Sequence, residues 1–287
     1  MTKQYFEYQK HYPAALAAIE DCLRRSHLSR LENVALRFSH ALEEETLDLK
    51  DGNEREFLLS VLVKTVNEMF ATIGSLRHGA LISCYHHPRS VFELFAALEH
   101  IYCNPSKLQR KLEKFLEYPN VAKYLYFHDW QRRLSSGEVT EDQFAQECRV
   151  SETDFKELVK RLPKWQRIWK LKGNNPDPEV IRNWHYPATI EGLFQSSEET
   201  KGLWEDYEML CHATHLSPLG DRVVGGNFLI GFPQDGRDFD YLKINRPIDY
   251  TILGAQRITI CLYQKVNAGL IEGVLDESLE MDQHNSR

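Results

Sequence analysis

The sequence predicts an all-α protein, a multi-helix bundle with one short β-hairpin inserted near residues 226–245. Long segments repeat apolar residues at helical spacing, and capping signatures with glycine or proline stops separate them. Residues 226–245 differ, because two short aromatic and β-branched runs flank the turn sequence Pro-Gln-Asp-Gly. A structured loop is the alternative for this segment.

Six helices are predicted in the N-terminal half. Proline is favoured in the first turn of a helix and disfavoured inside one, so Pro88, Pro105 and Pro119 mark helix starts. Gly52 is a suitable stop for the second helix. The predicted ranges are 13–27, 29–49, 54–80, 89–103, 105–117 and 119–134.

The C-terminal half is predicted to begin with two short helices between residues 140 and 161. Thr140 with Gln143, and Ser151 with Asp154, give each helix a capping signature. A basic helix then runs to residue 172, before the loop sequence Gly-Asn-Asn-Pro-Asp-Pro. Two longer helices are predicted over 197–215 and 247–273.

The predicted organisation has an N-terminal helical extension, 1–52, and one helical bundle domain, 53–273. The polar tail, 274–287, is predicted to be disordered. Charge divides the chain differently: the net charge is -7 overall, yet residues 105–172 carry 15 basic and 10 acidic side chains. This basic segment lies between two acidic ones.

Several functional classes have no support in the sequence. The start lacks the apolar core of a signal peptide, and no apolar run approaches the roughly 18 residues that a membrane span needs. Six scattered cysteines fit a reducing compartment, so we predict a cytoplasmic protein that binds no membrane. Nucleotide-binding, nucleophile-elbow and zinc-protease motifs are absent from the sequence.

Arg89 and Glu93 form a first polar column on an otherwise apolar helix. They are four residues apart and share a face, which Ala96, Ala97 and His100 continue. Such a column either faces water or lines a polar site inside the protein.

A second polar column is formed by Tyr207, Cys211 and His215, again four residues apart. His215 lies at the predicted end of its helix, where the helix dipole favours a charged imidazole. It is therefore a candidate proton shuttle, and the alternative is a histidine that caps the last helix carbonyls. We expect the two columns to face each other across the bundle.

Histidines and cysteines raise the question of a metal site. His212 and His215 are three residues apart beside Cys211, a spacing that allows two ligands to one ion. A further ligand from His86, His87 or Cys84 is not fixed by any spacing. We therefore predict no metal and no other cofactor.

The basic helix holds two tryptophans among cations, a composition that suits stacking on bases and neutralisation of phosphates. The alternative is an amphipathic helix with Trp165 and Trp169 in the core and the cations in water. The predicted nucleic-acid-binding residues are Lys160, Arg161, Lys164, Trp165, Arg167 and Lys170.

The two columns together resemble a large bacterial family, domain of unknown function 5677, whose motifs look like R-S-x-x-E and Y-x-x-x-S-x-x-x-H. The likeness spans roughly residues 55–220. Cys211 stands where the family has serine, so no hydroxyl role carries over to that position. The matching residues are Arg89, Ser90, Glu93, Tyr207 and His215.

The resemblance implies a fold similar to HEPN helical bundles, many of which are metal-independent RNases of toxin–antitoxin and phage-defence systems. The usual HEPN signature, Arg and His separated by four to six residues, does not occur in this sequence. RNA, a protein partner or a second copy of the chain are the expected partners.

Two functional readings follow. In the first, His215 takes a proton from a 2′-hydroxyl of RNA, Arg89 stabilises charge on phosphate and Glu93 orients Arg89, while Tyr207 completes the hydrogen bonds. In the second, the same residues are a structural network in a helical binding or regulatory protein.

Overall fold

The computed structural model describes residues 20–43 except residue 22, and residues 52–78, 81–171, 180–214 and 241–266. All regular elements among these residues are helical, so the all-α prediction is confirmed. A 3-10 turn at Pro105–Lys107 precedes the helix that begins at Leu108. The α-helices are α1 (Leu28–Glu43), α2 (Asn53–Arg77), α3 (Leu81–Tyr102), α4 (Leu108–Ser135), α5 (Glu141–Glu147), α6 (Glu152–Val159), α7 (Leu162–Trp169), α8 (Ile190–Phe194), α9 (Glu198–Lys201), α10 (Trp204–Thr214) and α11 (Tyr241–Val266).

The hairpin prediction is wrong where the structure tests it. Residues 241–245, the end of the predicted second strand, form the first turn of α11, and residues 226–240 lie outside the described residues. Ile248, Ile252 and Ile258 of α11 are completely buried, so this segment continues a long helix with one apolar face. That continuous face outweighs the local β-propensity of the aromatic and branched residues.

Pro88 and Pro119 lie inside helices, and the predicted helix starts at these two prolines are wrong. α3 begins at Leu81, and α4 runs from Leu108 without a break. A proline inside a helix removes one backbone hydrogen bond. Buried side chains on both sides of each proline keep the helix continuous, as Val91 does after Pro88 and Val121 after Pro119.

The two predicted capping signatures are confirmed. The Thr140 hydroxyl accepts the backbone N–H of Gln143 at 3.2 Å, and the Gln143 side chain accepts the N–H of Thr140 at 2.9 Å. The hydroxyl of Ser151 accepts the N–H of Asp154 at 3.1 Å. These bonds satisfy donors at the starts of α5 and α6.

The described residues belong to two compact units. The first comprises those within Met1–Lys50, Leu58–Cys103 and Phe194–Arg287, and the second those within Asp51–Phe57 and Asn104–Leu193. The basic segment 105–172 is therefore part of the second unit.

The first unit is built around α3, which packs against α10 and α11. The α3–α11 crossing is so close that a methyl group added at Gly254 would lie 2.6 Å from Cγ1 of Val91. Phe92 and Phe95 of α3 are fully buried in this unit. The crossing thus positions the polar face of α3 as well as its apolar face.

The second unit is built around α4, against which α5, α6 and α7 pack. Its core is aromatic: the Phe127 and Phe155 rings stack with centroids 4.4 Å apart. Trp165 and Trp169 of α7 are buried in the same unit.

By length and composition α2 is the one helix among the described residues that could cross a membrane, with a window of mean hydropathy 1.4. Half of that window is buried inside the protein, and the core helix of a soluble protein meets the same criteria. Localisation in the cytoplasm stays a prediction.

Candidate functional site

Arg89 and Glu93 of α3 meet Tyr207 of α10 in the first unit. One helical turn separates Arg89 from Glu93, and the distance from Arg89 Nε to Glu93 Oε1 is 3.4 Å. The Tyr207 hydroxyl donates to the same carboxylate oxygen at 2.8 Å. The expectation that the two polar columns face each other is thus confirmed for these three residues.

The last turn of α10 supplies a second anchor for Arg89. Arg89 Nη1 donates to the hydroxyl of Thr214 at 3.3 Å, and that hydroxyl donates to the Cys211 carbonyl at 3.0 Å. Thr214 was not among the predicted site residues, although it is seven residues after Tyr207 and so on nearly the same helical face. His215, the fourth predicted catalytic residue, lies outside the described residues.

The three residues of the cluster differ in solvent exposure. Tyr207 is 6% exposed, whereas the side chains of Arg89 and Glu93 are 18% and 36% exposed. The Tyr207 ring is fixed by Phe194 and Trp204, with centroid distances of 4.6 and 5.4 Å. The buried Tyr207 therefore supports the carboxylate of Glu93 and the guanidinium of Arg89, both of which are partly exposed to solvent.

The electrostatic environment fixes the protonation of two members of the second column. Burial raises the pKa of Tyr207, and the negative charge of Glu93 raises it further, so the phenol remains a donor at neutral pH. Burial also raises the pKa of Cys211, despite the opposing effects of its hydrogen bond with Tyr207 and of the charge of Arg89. Cys211 is therefore a thiol at neutral pH and a weak nucleophile.

Ser90 of the R-S-x-x-E motif and His100 of the first column have separate contacts. The Ser90 hydroxyl donates to the carbonyl of His86 at 3.3 Å, within its own helix. His100 Nδ1 is 2.8 Å from the Ser196 hydroxyl. The α3 polar column therefore contributes Arg89 and Glu93 to the cluster, whereas His100 contacts the segment that follows α8.

The structure corrects the stacking role predicted for Trp165 in the basic helix. Trp165 is fully buried, and its indole N–H donates to Glu117 Oε2 at 3.1 Å. Lys164 Nζ and Arg161 Nη1 lie 2.5 and 3.0 Å from Glu117 Oε1. A buried indole cannot stack on a base, so the alternative with the tryptophans in the core is correct.

The remaining cations of that helix lie at the surface. Lys160 pairs with Glu157, and Arg167 and Lys170 are exposed. Lys170 ends α7 in the left-handed conformation, with φ of 55°. Phosphate binding by the predicted cations stays a prediction.

Ligands for a metal ion do not converge in the part of the chain that the structure describes, where no three His, Cys, Asp or Glu side chains form a suitable group. His212 is exposed, and His87 contacts Glu68 and Ser75 instead of a ligand set.

Comparison of the chain with protein-family models, with curated proteins and with solved structures gives no match. The resemblance to domain family 5677, and through it to HEPN bundles, stays a prediction that rests on the residues of the two motifs.

Proposed function

We propose that the Arg89–Glu93–Tyr207 cluster binds a phosphate of RNA and cleaves the RNA without a metal ion. The observation that carries the proposal is the fixed guanidinium of Arg89, which lies between Glu93 Oε1 and the Thr214 hydroxyl. A guanidinium held in place before the substrate arrives stabilises phosphate charge without reorganising during the reaction.

Each residue has a distinct task in the proposed reaction. His215, which follows Thr214 in the sequence, takes the proton of the 2′-hydroxyl as that oxygen attacks phosphorus. Arg89 stabilises the charge that develops on the phosphate oxygens. The 5′-oxygen then leaves with the proton that His215 took, so the products end in a 2′,3′-cyclic phosphate and a 5′-hydroxyl.

Glu93 and Tyr207 are positioning residues in this proposal. Glu93 fixes Arg89, and the Tyr207 hydroxyl fixes Glu93 through its 2.8 Å bond. The resemblance supports a bacterial toxin–antitoxin or phage-defence setting in the cytoplasm, with a protein partner or a second copy of the chain as regulator.

A second candidate function, a non-enzymatic helical binding or regulatory protein, is favoured by the burial of Tyr207. Its 6% exposure and its bond to Glu93 join α3 to α10, as a structural network would. In this case the cluster stabilises the first unit, and function lies elsewhere on the surface.

The experiment is cleavage of a labelled RNA pool in EDTA by wild type, Arg89→Ala, Glu93→Gln and His215→Ala. We expect cyclic-phosphate ends from wild type and a loss of roughly 100- to 1,000-fold in rate for Arg89→Ala. Arg25→Ala is the matched control, because Arg25 forms an exposed i,i+4 pair with Asp21 in the same unit.

Melting temperatures separate the two candidates. Variants that lose cleavage but melt near wild type support the nuclease. A wild type that leaves RNA intact, together with Arg89→Ala and Tyr207→Phe variants that melt several degrees lower, would support the structural network and overturn the nuclease.

A further inference from the structure

Ser75, His87 and Glu68 form a continuous hydrogen-bonded series in the first unit, separate from the Arg89 cluster. The Ser75 hydroxyl is 3.2 Å from Nε2 of His87. On the other side of the ring, Nδ1 of His87 is 2.7 Å from Oε2 of Glu68. The order is therefore hydroxyl, imidazole, carboxylate.

The chemistry of the three groups determines which atom donates and which accepts in each hydrogen bond. An ionised carboxylate only accepts hydrogen bonds, so Nδ1 of His87 carries the proton and donates it to Glu68. In neutral imidazole Nε2 is then the acceptor, and it faces the Ser75 hydroxyl. The geometry sets His87 to remove a proton from Ser75.

The sequence brings these groups together through two helices. Glu68 and Ser75 are seven residues apart on α2, so two helical turns place them on nearly the same face. His87 comes from α3, one residue before Pro88. The three side chains therefore come from two helices, and none of them lies on a loop.

Solvent reaches the series. The side chains of His87 and Glu68 are partly buried, at 18% and 28% exposure. Ser75 is itself only partly buried. None of the three side chains is therefore sealed from solvent, and a small molecule can reach them.

We propose that Ser75 is an activated nucleophile that takes the acyl group of carboxylic esters, with His87 as its base and Glu68 as the positioning residue. A serine within hydrogen-bond reach of a histidine that a carboxylate orients is the arrangement that makes a hydroxyl nucleophilic.

The proposed reaction has two balanced halves. Ser75 Oγ bonds to the ester carbonyl carbon as its proton moves to Nε2 of His87. The carbon–oxygen bond to the alcohol then breaks, and the alcohol leaves with that proton. Water, deprotonated by His87, releases the carboxylic acid and restores the Ser75 hydroxyl.

The test uses an alkyl fluorophosphonate, which reacts with activated serines and not with ordinary ones. Ser75 Oγ would bond to phosphorus, fluoride would leave and His87 would take the proton. We expect intact-mass spectrometry to show one added phosphonyl group, and peptide mapping of the wild type to locate it at Ser75. Mapping needs no variant, so the result does not depend on whether Ser75→Ala folds.

Variants then test the base and its orientation. We expect His87→Gln to slow labelling at least about 100-fold, the usual contribution of a general base. Glu68→Gln also slows labelling, because an amide no longer fixes the imidazole proton on Nδ1. Ser39→Ala is the control, since the Ser39 hydroxyl donates to the Ala35 carbonyl of its own helix, at 3.0 Å.

A folded wild type with no label at Ser75 overturns the inference. So does labelling at Ser75 that proceeds at the same rate in His87→Gln. Hydrolysis of p-nitrophenyl acetate that is lost in Ser75→Ala, while Ser39→Ala retains it, would extend the labelling result to turnover.

Discussion

Trp165 donates its indole N–H to Glu117, a carboxylate from another helix that is almost completely enclosed by the second unit. The same carboxylate accepts from Lys164 and Arg161, so one acidic side chain satisfies the core tryptophan and two cations of the basic segment. The basic segment is therefore tied to its own unit through Glu117.

Replacing Glu117 with leucine should destabilise the second unit by about 1–3 kcal/mol, because the buried indole N–H loses its acceptor. Urea unfolding followed by tryptophan fluorescence measures this change. Glu157→Leu is the control: Glu157 pairs with Lys160 at the surface, and we expect a change within about 0.5 kcal/mol. Equal effects of the two substitutions would contradict the prediction.

Acid should weaken the second unit partly through Glu117. Burial alone would raise the pKa of Glu117, but bonds from Lys164 and Trp165 and the charges of Lys164 and Arg161 hold it below its ordinary value. Because the pKa of Glu117 is lower in the folded than in the unfolded protein, its ionisation stabilises the fold. This stabilisation is complete above the pKa of the unfolded protein, roughly 4.3, and is lost as pH falls through the pKa of the folded protein.

We therefore expect the unfolding free energy of wild type to fall more steeply below pH 4 than that of Glu117→Gln, which has no carboxylate to protonate. Urea unfolding between pH 6 and pH 2.5 tests this. Parallel curves for the two proteins would show that Glu117 does not contribute to acid unfolding.

The α3–α11 crossing should not tolerate a side chain at Gly254. Alanine normally stabilises a helix by about 1 kcal/mol relative to glycine. Here its methyl group would lie 2.6 Å from Val91 Cγ1, so we expect Gly254→Ala to destabilise the first unit by about 1–3 kcal/mol in thermal or urea unfolding.

Gly74→Ala is the matched control, because a methyl group there meets no described atom within 4 Å and should stabilise α2. Adding Val91→Ala to Gly254→Ala should restore part of the lost free energy of unfolding, since the shorter side chain removes the clashing atom. Purely additive losses in the double variant would contradict close packing as the cause.

Tyr207 should make the first unit sensitive to alkali. Its pKa is raised by burial and by the charge of Glu93. The contribution of the neutral phenol to folding stability is therefore complete below the pKa of tyrosine in the unfolded protein, roughly 10, and is lost as pH rises further. We expect the stability of wild type to fall more steeply between pH 10 and pH 12 than that of Tyr207→Phe. Tyr263→Phe, at an exposed ring, is the reference variant, and identical slopes in all three proteins would contradict the prediction.

Part of this architecture could be read from the sequence because it depends on spacing along one helix. The four-residue intervals placed Arg89 with Glu93, and the same reasoning placed Tyr207 on the facing helix. The caps of α5 and α6 were predictable for the same reason, because donor and acceptor are three residues apart.

Other contacts between distant parts of the chain were not predictable. Glu117 is 48 residues before Trp165, and the spacing within the basic segment does not indicate that a carboxylate from another helix accepts the indole N–H. Pro88 and Pro119 mark breaks by local rules, which tertiary packing overrides. His87 was weighed only as a metal ligand, because its serine and carboxylate lie on a different helix.

Helix α3 carries both clusters: His87 belongs to one and Arg89, two residues later, to the other. A shift or rotation of α3 would therefore move the base of one cluster and the guanidinium of the other together. Coupling between two binding sites is reciprocal. If a ligand at one cluster displaces α3 and thereby changes affinity at the second, occupation of the second must change affinity at the first by the same factor.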